Sequence, residues 1–235
     1  MTRRTFTLSA NIFSRKASAD PDTFVETHYD VAVPRATQAI IGVNVVVFLL
    51  QSSLGDAATI WFALWPLNAS AVFGPDVGFA PWQLVTYGFL HGGFSHIFFN
   101  MFAVYMFGST LEQFLGTRSY VVLYFVSVIT AGLTQLGVNA LIGSPYPTVG
   151  ASGGVFGLLL AFGMFFPRQR IMLIFPPIPM PAWVAVTAYG ALELFLGVTG
   201  SQAGVAHFAH LGGMLGAFLL ILWRRARPPF PRQRR

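Results

Sequence analysis

Charged residues are scarce in this chain, and cysteine is absent. Asp, Glu, Lys and Arg make up 9% of the 235 residues, whereas a soluble globular domain carries about 25%. This low charge, together with 54% hydrophobic residues, excludes an ordinary soluble domain and indicates a membrane protein. The lack of cysteine excludes disulfide bonds, thiolate metal ligands and a cysteine nucleophile.

The apolar residues are gathered into six stretches that predict transmembrane helices. A helix needs about 20 apolar residues to cross a hydrocarbon core of about 30 Å, and the fourth stretch is too short. Its N-terminus is expected to begin within the membrane, where the preceding loop must be buried in protein or line a water-filled cavity. The predicted fold class is therefore an all-α membrane protein, a six-helix bundle with a short fourth helix. The stretches are roughly residues 38–54, 85–111, 119–141, 152–166, 179–198 and 203–223.

The 14 Lys and Arg residues are distributed unevenly along the chain. They lie before the first stretch, after the last, or in the connections near 112–118 and 167–178, whereas the connections 55–84, 142–151 and 199–202 contain none. The positive-inside rule then places both termini in the cytoplasm. The basic charge is explained as a topology signal, so we expect no nucleic-acid partner.

Three segments are predicted from this pattern. Residues 1–37 are polar and too short for a core, and we expect a poorly ordered cytoplasmic tail. Residues 38–223 form the helical core, and residues 224–235 form a basic cytoplasmic tail that faces anionic lipid. Because no organelle presequence is evident, we expect a bacterial inner (plasma) membrane. The apolar loop 55–84, broken by proline and glycine, is expected in the outer interface.

A set of polar side chains falls inside the predicted helices, where each is a functional hypothesis by default. Counting back from the cytoplasmic helix ends at about 1.5 Å per residue places His96, Asn100, Ser152 and His210 about 6–12 Å below the outer surface. A histidine base is then within reach of a serine nucleophile. The full set is His91, His96, Asn100, Ser152, Glu193, His207 and His210.

Glu193 is predicted near the same layer, in the fifth helix. It could orient a histidine as a third catalytic residue, but we favour a hydrogen-bonding role within the packing of that helix. His91 and His207 are expected to support the cavity without reacting.

Three short motifs carry these polar residues. They are HGGFSHIFFN at 91–100, GASGG at 150–154 and AHLGG at 209–213. Each is weak alone, because serine is a common helix N-cap and glycine often serves helix packing. In this order and spacing they make residues 38–223 resemble the rhomboid family of intramembrane serine proteases.

The resemblance implies a role for each site residue. Ser152 corresponds to the nucleophile and His210 to the general base of a Ser–His dyad. His96 and Asn100 match the positions that stabilise the oxyanion, helped by the Ser152 backbone N–H, and we place Gly150 with them. The supporting residues are His91, Phe156, Gly153 and Gly213.

Two positions depart from the family pattern. Trp82 is followed by Gln83, where family members often have arginine. Phe156 stands where tyrosine often packs under the histidine. Both departures leave the reacting groups in place, and they bear on the anchoring of the loop and on the orientation of His210.

The resemblance predicts an intramembrane serine endopeptidase without a cofactor. Its expected partners are single-span transmembrane substrates, cleaved near the outer membrane face through an acyl-enzyme, and the lipid bilayer. One alternative is an inactive rhomboid-like protein that holds transmembrane clients, although such proteins lack the serine or the histidine. Another is a transporter or metal site built from His91, His96, His207 and His210, because imidazoles bind zinc and copper and half-helices line transport sites.

Overall fold

The computed structural model describes residues 32–172, 178–201 and 204–226, and these form a predominantly helical fold. Residues 1–31 and 227–235, which make up most of the two predicted tails, lie outside the described part. In chain order the helices are α1 Arg35–Leu54, α2 Asp56–Phe62, α3 Ser70–Phe73, α4 Gln83–Thr86, α5 Phe94–Ala103, α6 Ser109–Leu115, α7 Thr117–Ile142, α8 Ser152–Phe165, α9 Ala182–Thr199 and α10 His207–Ala226.

Within the described residues, four helices are long and apolar enough to cross a membrane: α1, α7, α9 and α10. The chain is accordingly a multi-pass membrane protein. Helix α10 packs against both α7 and α8, and these three helices form the centre of the bundle. Helix α9 lies at the side of this group, in contact with α10 and α8.

The second predicted helix begins later and ends later than the apolar pattern indicated. Helices α5 and α6 are joined by a π turn, Val104–Gly108, so that helical segments of 10, 5 and 7 residues follow one another. Residues 83–89 are helical as α4 and a 3-10 turn, but the chain is extended at Leu90 and Gly93, so the predicted stretch is broken before α5, where glycine weakens a helix. His91 therefore lies in the connection before α5 and not in the helix.

Helix α8 begins at Ser152 and has 14 residues, as the sequence predicted to within a residue. At 1.5 Å per residue it is about 21 Å long, shorter than a hydrocarbon core of about 30 Å. Most of its residues are buried against α7 and α10. A helix of this length carries its first turn into the interior of the bundle.

Glycines allow the central helices to approach each other closely. A Cβ atom on Gly213 of α10 would collide with the carbonyl oxygen of Gly153 in α8. Gly212 and Gly216 of the same helix face threonine side chains of α7. Because α10 lies between two neighbours, its glycines serve both interfaces.

The predominantly helical fold also contains one small two-stranded sheet. Two short antiparallel strands, β1 Arg170–Met172 and β2 Pro179–Pro181, pair with Ile171 opposite Met180. The fifth stretch, predicted to be helical from residue 179, becomes helical only at Ala182. Proline has no backbone N–H and is confined to helix starts and strand edges, and Pro181 holds the extended conformation that precedes α9.

Candidate active site

Ser152 and His210 meet although 58 positions separate them in the sequence. The Oγ atom of Ser152, the first residue of α8, lies 2.8 Å from Nε2 of His210 in α10. This is hydrogen-bonding distance. The predicted meeting of a hydroxyl and an imidazole from different helices is confirmed.

The two side chains open onto a cavity of about 390 Å³. His96 and Asn100 of α5 line the same cavity, so the groups that were placed in one layer by counting residues do converge. Thr148 and Val149, from the segment that leads into α8, form part of its wall. This segment is fixed by two backbone hydrogen bonds between Leu64 and Thr148, at 2.9 and 3.0 Å.

Gly150 is held in a conformation that favours glycine. Its φ angle is +130°, and a Cβ atom there would lie 2.8 Å from two ring atoms of His96. Its backbone N–H donates to the carbonyl of Tyr87 at 2.9 Å and is not free to bind a ligand in the cavity. The positive φ of Gly150 lets the chain turn close to His96.

His96 and Asn100 each keep a donor on the cavity side. The N–H of Gly92 donates to Nδ1 of His96 at 3.3 Å, so in the neutral ring the proton is on Nε2. One amide N–H of Asn100 donates to the His96 carbonyl in the same helix at 2.9 Å. Among the hydrogen bonds of the described residues, the second amide N–H of Asn100 and the Nε2 of His96 have no partner.

Glu193 contacts the histidines of α10. Its Oε2 atom lies 2.8 Å from Nδ1 of His210 and 2.7 Å from Nδ1 of His207. Glu193 is thus hydrogen-bonded where α9 packs on α10, and one of its two partners is the histidine that contacts Ser152. The sequence carried part of this information, because His207 and His210 are three residues apart and therefore lie on one face of their helix.

The supporting residues surround the two histidines of the cavity. The rings of His91 and His96 are in edge contact, with centroids 5.1 Å apart, and His91 is 1% exposed. Phe156, one turn into α8, is stacked on His210 at 4.3 Å between centroids and 6° between ring planes. His91 thus contacts the ring of His96, and Phe156 contacts the ring of His210.

One group of side chains in the described part of the chain has metal-binding potential. The donor atoms of Glu193, His207 and His210 lie within 4.8 Å of one another. His91 and His96 do not join this group, so the four histidines of the metal hypothesis are not assembled into one site. The hydrogen bonds within the group already satisfy both Nδ1 atoms.

A family model described as the Rhomboid domain matches residues 79–227, which is more than half of the chain and includes all three motifs. The chain belongs to the rhomboid family.

Several rhomboid proteins are similar to it. Rhomboid protein 1, mitochondrial, of Saccharomyces cerevisiae is 31% identical over 200 residues, 83% of this chain and 54% of the yeast protein. The putative rhomboid protease YdcA of Bacillus subtilis is 28% identical over 184 residues, 77% of this chain and 84% of that protein. Rhomboid protease GlpG of Serratia proteamaculans is 29% identical over 191 residues, which are 80% of this chain and 62% of that protein. The chain thus spans about half the length of the yeast relative.

The departure from the rhomboid pattern at Gln83 has a structural explanation. Gln83 is 2% exposed, and its side-chain oxygen accepts hydrogen bonds from the N–H groups of Trp65 and Ala80, both at 3.2 Å. Its amide nitrogen donates to the Gly78 carbonyl at 3.2 Å. Glutamine therefore anchors the loop by hydrogen bonds to backbone groups, without the charge of an arginine.

Proposed function

We propose that the protein is an intramembrane serine endopeptidase that uses Ser152 and His210 as a catalytic dyad. The observation that carries this proposal is the 2.8 Å contact between Ser152 Oγ and His210 Nε2, at the wall of a cavity that His96 and Asn100 also line. The names of its relatives as rhomboid proteases support it. An inactive client-holding protein would need neither the serine nor the histidine, and this chain has both in contact.

The chemistry proceeds in two stages. Ser152 Oγ attacks the carbonyl carbon of the scissile peptide, its proton passes to His210 Nε2, and the carbonyl electron pair moves onto oxygen. When the tetrahedral intermediate collapses, the C–N bond breaks and His210 gives the proton to the leaving amine. A water molecule then attacks the resulting ester by the same steps and releases the second product.

The developing oxyanion needs fixed donors in a site with little water. Asn100 has a second amide N–H and His96 has its Nε2–H on the cavity side, and the start of α8 adds backbone N–H groups and the positive end of its dipole. Gly150 takes part indirectly, by allowing His96 to come close to the turn before Ser152. We therefore assign oxyanion stabilisation to Asn100, His96 and the Ser152 N–H.

In the membrane, we assign six spans to the chain. They are α1, the continuous run from α5 to α6, α7, α8, α9 and α10, with α8 starting below the outer surface. The basic residues place both termini in the cytoplasm, with residues 1–37 and 224–235 as tails around the 38–223 core. The membrane proposed for this protein is the bacterial inner membrane.

The proposed substrates are single-span membrane proteins, cut near the outer membrane face. A protease needs extended backbone in its active site, whereas a stable transmembrane helix has its amides bonded internally. Segments with helix-breaking or small residues near the cut site are therefore favoured. The partly buried position of the dyad suits a substrate that arrives within the bilayer.

The test is cleavage of a model transmembrane substrate by detergent-purified protein and by its Ser152→Ala variant. The matched control is Ser127→Ala, because Ser127 is buried in α7, where its hydroxyl donates to the Leu123 carbonyl at 2.8 Å. We expect no measurable cleavage by Ser152→Ala and near-normal cleavage by Ser127→Ala. Equal cleavage by wild type and Ser152→Ala would refute the proposed mechanism.

A further inference from the structure

One carboxylate oxygen in the bundle accepts hydrogen bonds from two histidines. Oε2 of Glu193 lies 2.7 Å from His207 Nδ1 and 2.8 Å from His210 Nδ1. All three side chains are buried, with 8%, 4% and 9% of the residues exposed for Glu193, His207 and His210. A buried acid with two charge-assisted hydrogen bonds is a demanding arrangement that a packing role does not require.

We propose that Glu193 is a positioning residue for the dyad, which holds His210 in the tautomer and orientation that face Ser152. This inference rests on the proposed function. It extends the two-residue assignment that the family resemblance implies, because it adds a third group from a different helix.

The tautomer follows from the chemistry of the donors. An ionised carboxylate only accepts hydrogen bonds, so the Nδ1 atom of each histidine must carry a proton. In neutral His210 the lone pair is then on Nε2, which is the atom 2.8 Å from Ser152 Oγ. Without the carboxylate, the proton could occupy either nitrogen, and the fraction of His210 that is ready to act as a base would fall.

The ring orientation is fixed by two contacts on different sides. Phe156 covers one face of the His210 ring, which sets the ring plane but leaves rotation within that plane free. The bond from Nδ1 to Glu193 removes this rotation and aims Nε2 at Ser152. The two restraints come from α8 and α9, so His210 is oriented only when both helices are in place.

The carboxylate also matters for charge. When His210 takes the Ser152 proton it becomes a cation in a buried site, where an opposite charge at hydrogen-bonding distance is stabilising. Glu193 keeps its negative charge throughout and receives no proton, so the proton balance between Ser152, His210 and the leaving amine is unchanged. The stabilisation appears only after proton transfer, and it lowers the barrier instead of tightening substrate binding.

His207 also forms a hydrogen bond with the carboxylate of Glu193. It is the first residue of α10, one turn before His210, and its Nδ1 bonds to the same oxygen. It makes no hydrogen bond to Ser152 among the described contacts. We assign it to fixing Glu193, which makes its expected effect smaller than that of Glu193 itself.

The experiment measures kcat, KM and thermal unfolding for Glu193→Gln and Glu193→Asp in the full-length protein. Glu193→Gln keeps the size and removes the charge, and we expect kcat to fall about a hundredfold with KM nearly unchanged. Glu193→Asp keeps the charge and should recover part of this loss. In a His210→Ala background, adding Glu193→Gln should change the residual rate by less than about twofold, because the two residues act as one unit.

The matched control is Glu112→Gln. Glu112 is also buried, but its carboxylate accepts from the N–H groups of Ala36 and Thr37 at the start of α1, at 3.1 and 2.7 Å. This control should lower the unfolding temperature and leave kcat within about twofold of wild type. A purely structural role for Glu193 would give its Gln variant the same behaviour as Glu112→Gln.

His207→Asn is a second test in case Glu193→Gln does not fold, and it should lower kcat several-fold without raising KM. The inference is overturned if Glu193→Gln, or failing that His207→Asn, keeps wild-type kcat while Ser152→Ala is inactive. It is also overturned if a chelator abolishes wild-type activity and zinc restores it, since the three residues would then be metal ligands. Cleavage by Ser152→Ala would instead remove the proposed function itself.

Discussion

The phenyl ring of Phe156 lies flat against the imidazole of His210, with 4.3 Å between ring centroids and 6° between ring planes. Phe156 is one helical turn after Ser152 on α8, so the element that carries the hydroxyl also carries the surface on which the base rests. When His210 gains a proton, its charge faces the negative face of an aromatic ring, which is a favourable contact.

Replacing Phe156 tests this stacking. Phe156→Leu keeps an apolar side chain but removes the flat surface. A stacked aromatic pair contributes about 0.5–1.5 kcal/mol beyond area burial, so we expect kcat to fall about two- to tenfold. Phe156→Tyr keeps the ring and should stay within about twofold of wild type. Steady-state cleavage of a model substrate checks both, and a Leu variant as active as the Tyr variant would contradict the stacking role.

Asn100→Ala removes an oxyanion donor. Loss of one such donor typically costs about 2.7–4 kcal/mol in the transition state, so turnover should slow about a hundredfold or more, with KM little changed. Asn68→Ala is the control, because Asn68 is exposed and lies outside the cavity. A fall in substrate affinity with unchanged kcat would show that Asn100 binds substrate and does not stabilise the oxyanion.

Gly150→Ala combines two penalties. The φ angle of +130° strains any other residue, and the new Cβ would lie 2.8 Å from the His96 ring. Gly143→Ala is the control, because Gly143 also has a positive φ, of +74°, but has open space around it. The control should lose about 1–2 kcal/mol of stability and keep its kcat, whereas Gly150→Ala should lose at least about tenfold in kcat because His96 is displaced. Equal kcat values for the two variants would contradict the proposed part of Gly150.

Gly213→Ala tests the close approach of α10 and α8. The added methyl group would meet the backbone oxygen of Gly153, which cannot rotate away, so we expect a loss of about 1–3 kcal/mol in stability. Gly137→Ala, at a position in α7 with nothing within 4 Å, should be neutral or stabilising by about 0.5–1 kcal/mol. Thermal unfolding in detergent measures both changes in stability. Equal unfolding temperatures for the Gly213→Ala and Gly137→Ala variants would show that α10 and α8 can move apart to accept a methyl group without loss of stability.

Sequence spacing predicted the features that depend on position along a single helix. The start of α8 at Ser152, within the bundle, followed from the shortness of its apolar stretch. The shared layer of Ser152, His210, His96 and Asn100 followed from counting residues against the membrane thickness. These are one-dimensional properties, and a sequence carries them directly.

Properties that depend on helix rotation and tertiary contacts were not predictable in this way. Counting placed Glu193 near the right depth, but it could not tell which side of α9 faces α10, and so a bond to a histidine was only the less favoured alternative. The hydrogen bond from the Gly150 N–H to the Tyr87 carbonyl joins two segments that are distant in sequence, so spacing gave no sign of it. The π turn within the second span has no signal in the apolar pattern.

Covalent labelling tests most directly whether Ser152 is the nucleophile that His210 activates. A serine-directed fluorophosphonate is incubated with the purified protein, and the adduct is located by intact-mass and peptide mass spectrometry. We expect one adduct per chain, on Ser152, formed in step with the loss of peptidase activity and nearly abolished in His210→Ala. Inactivation with the label on another residue, or full peptidase activity in a protein fully labelled at Ser152, would contradict the account.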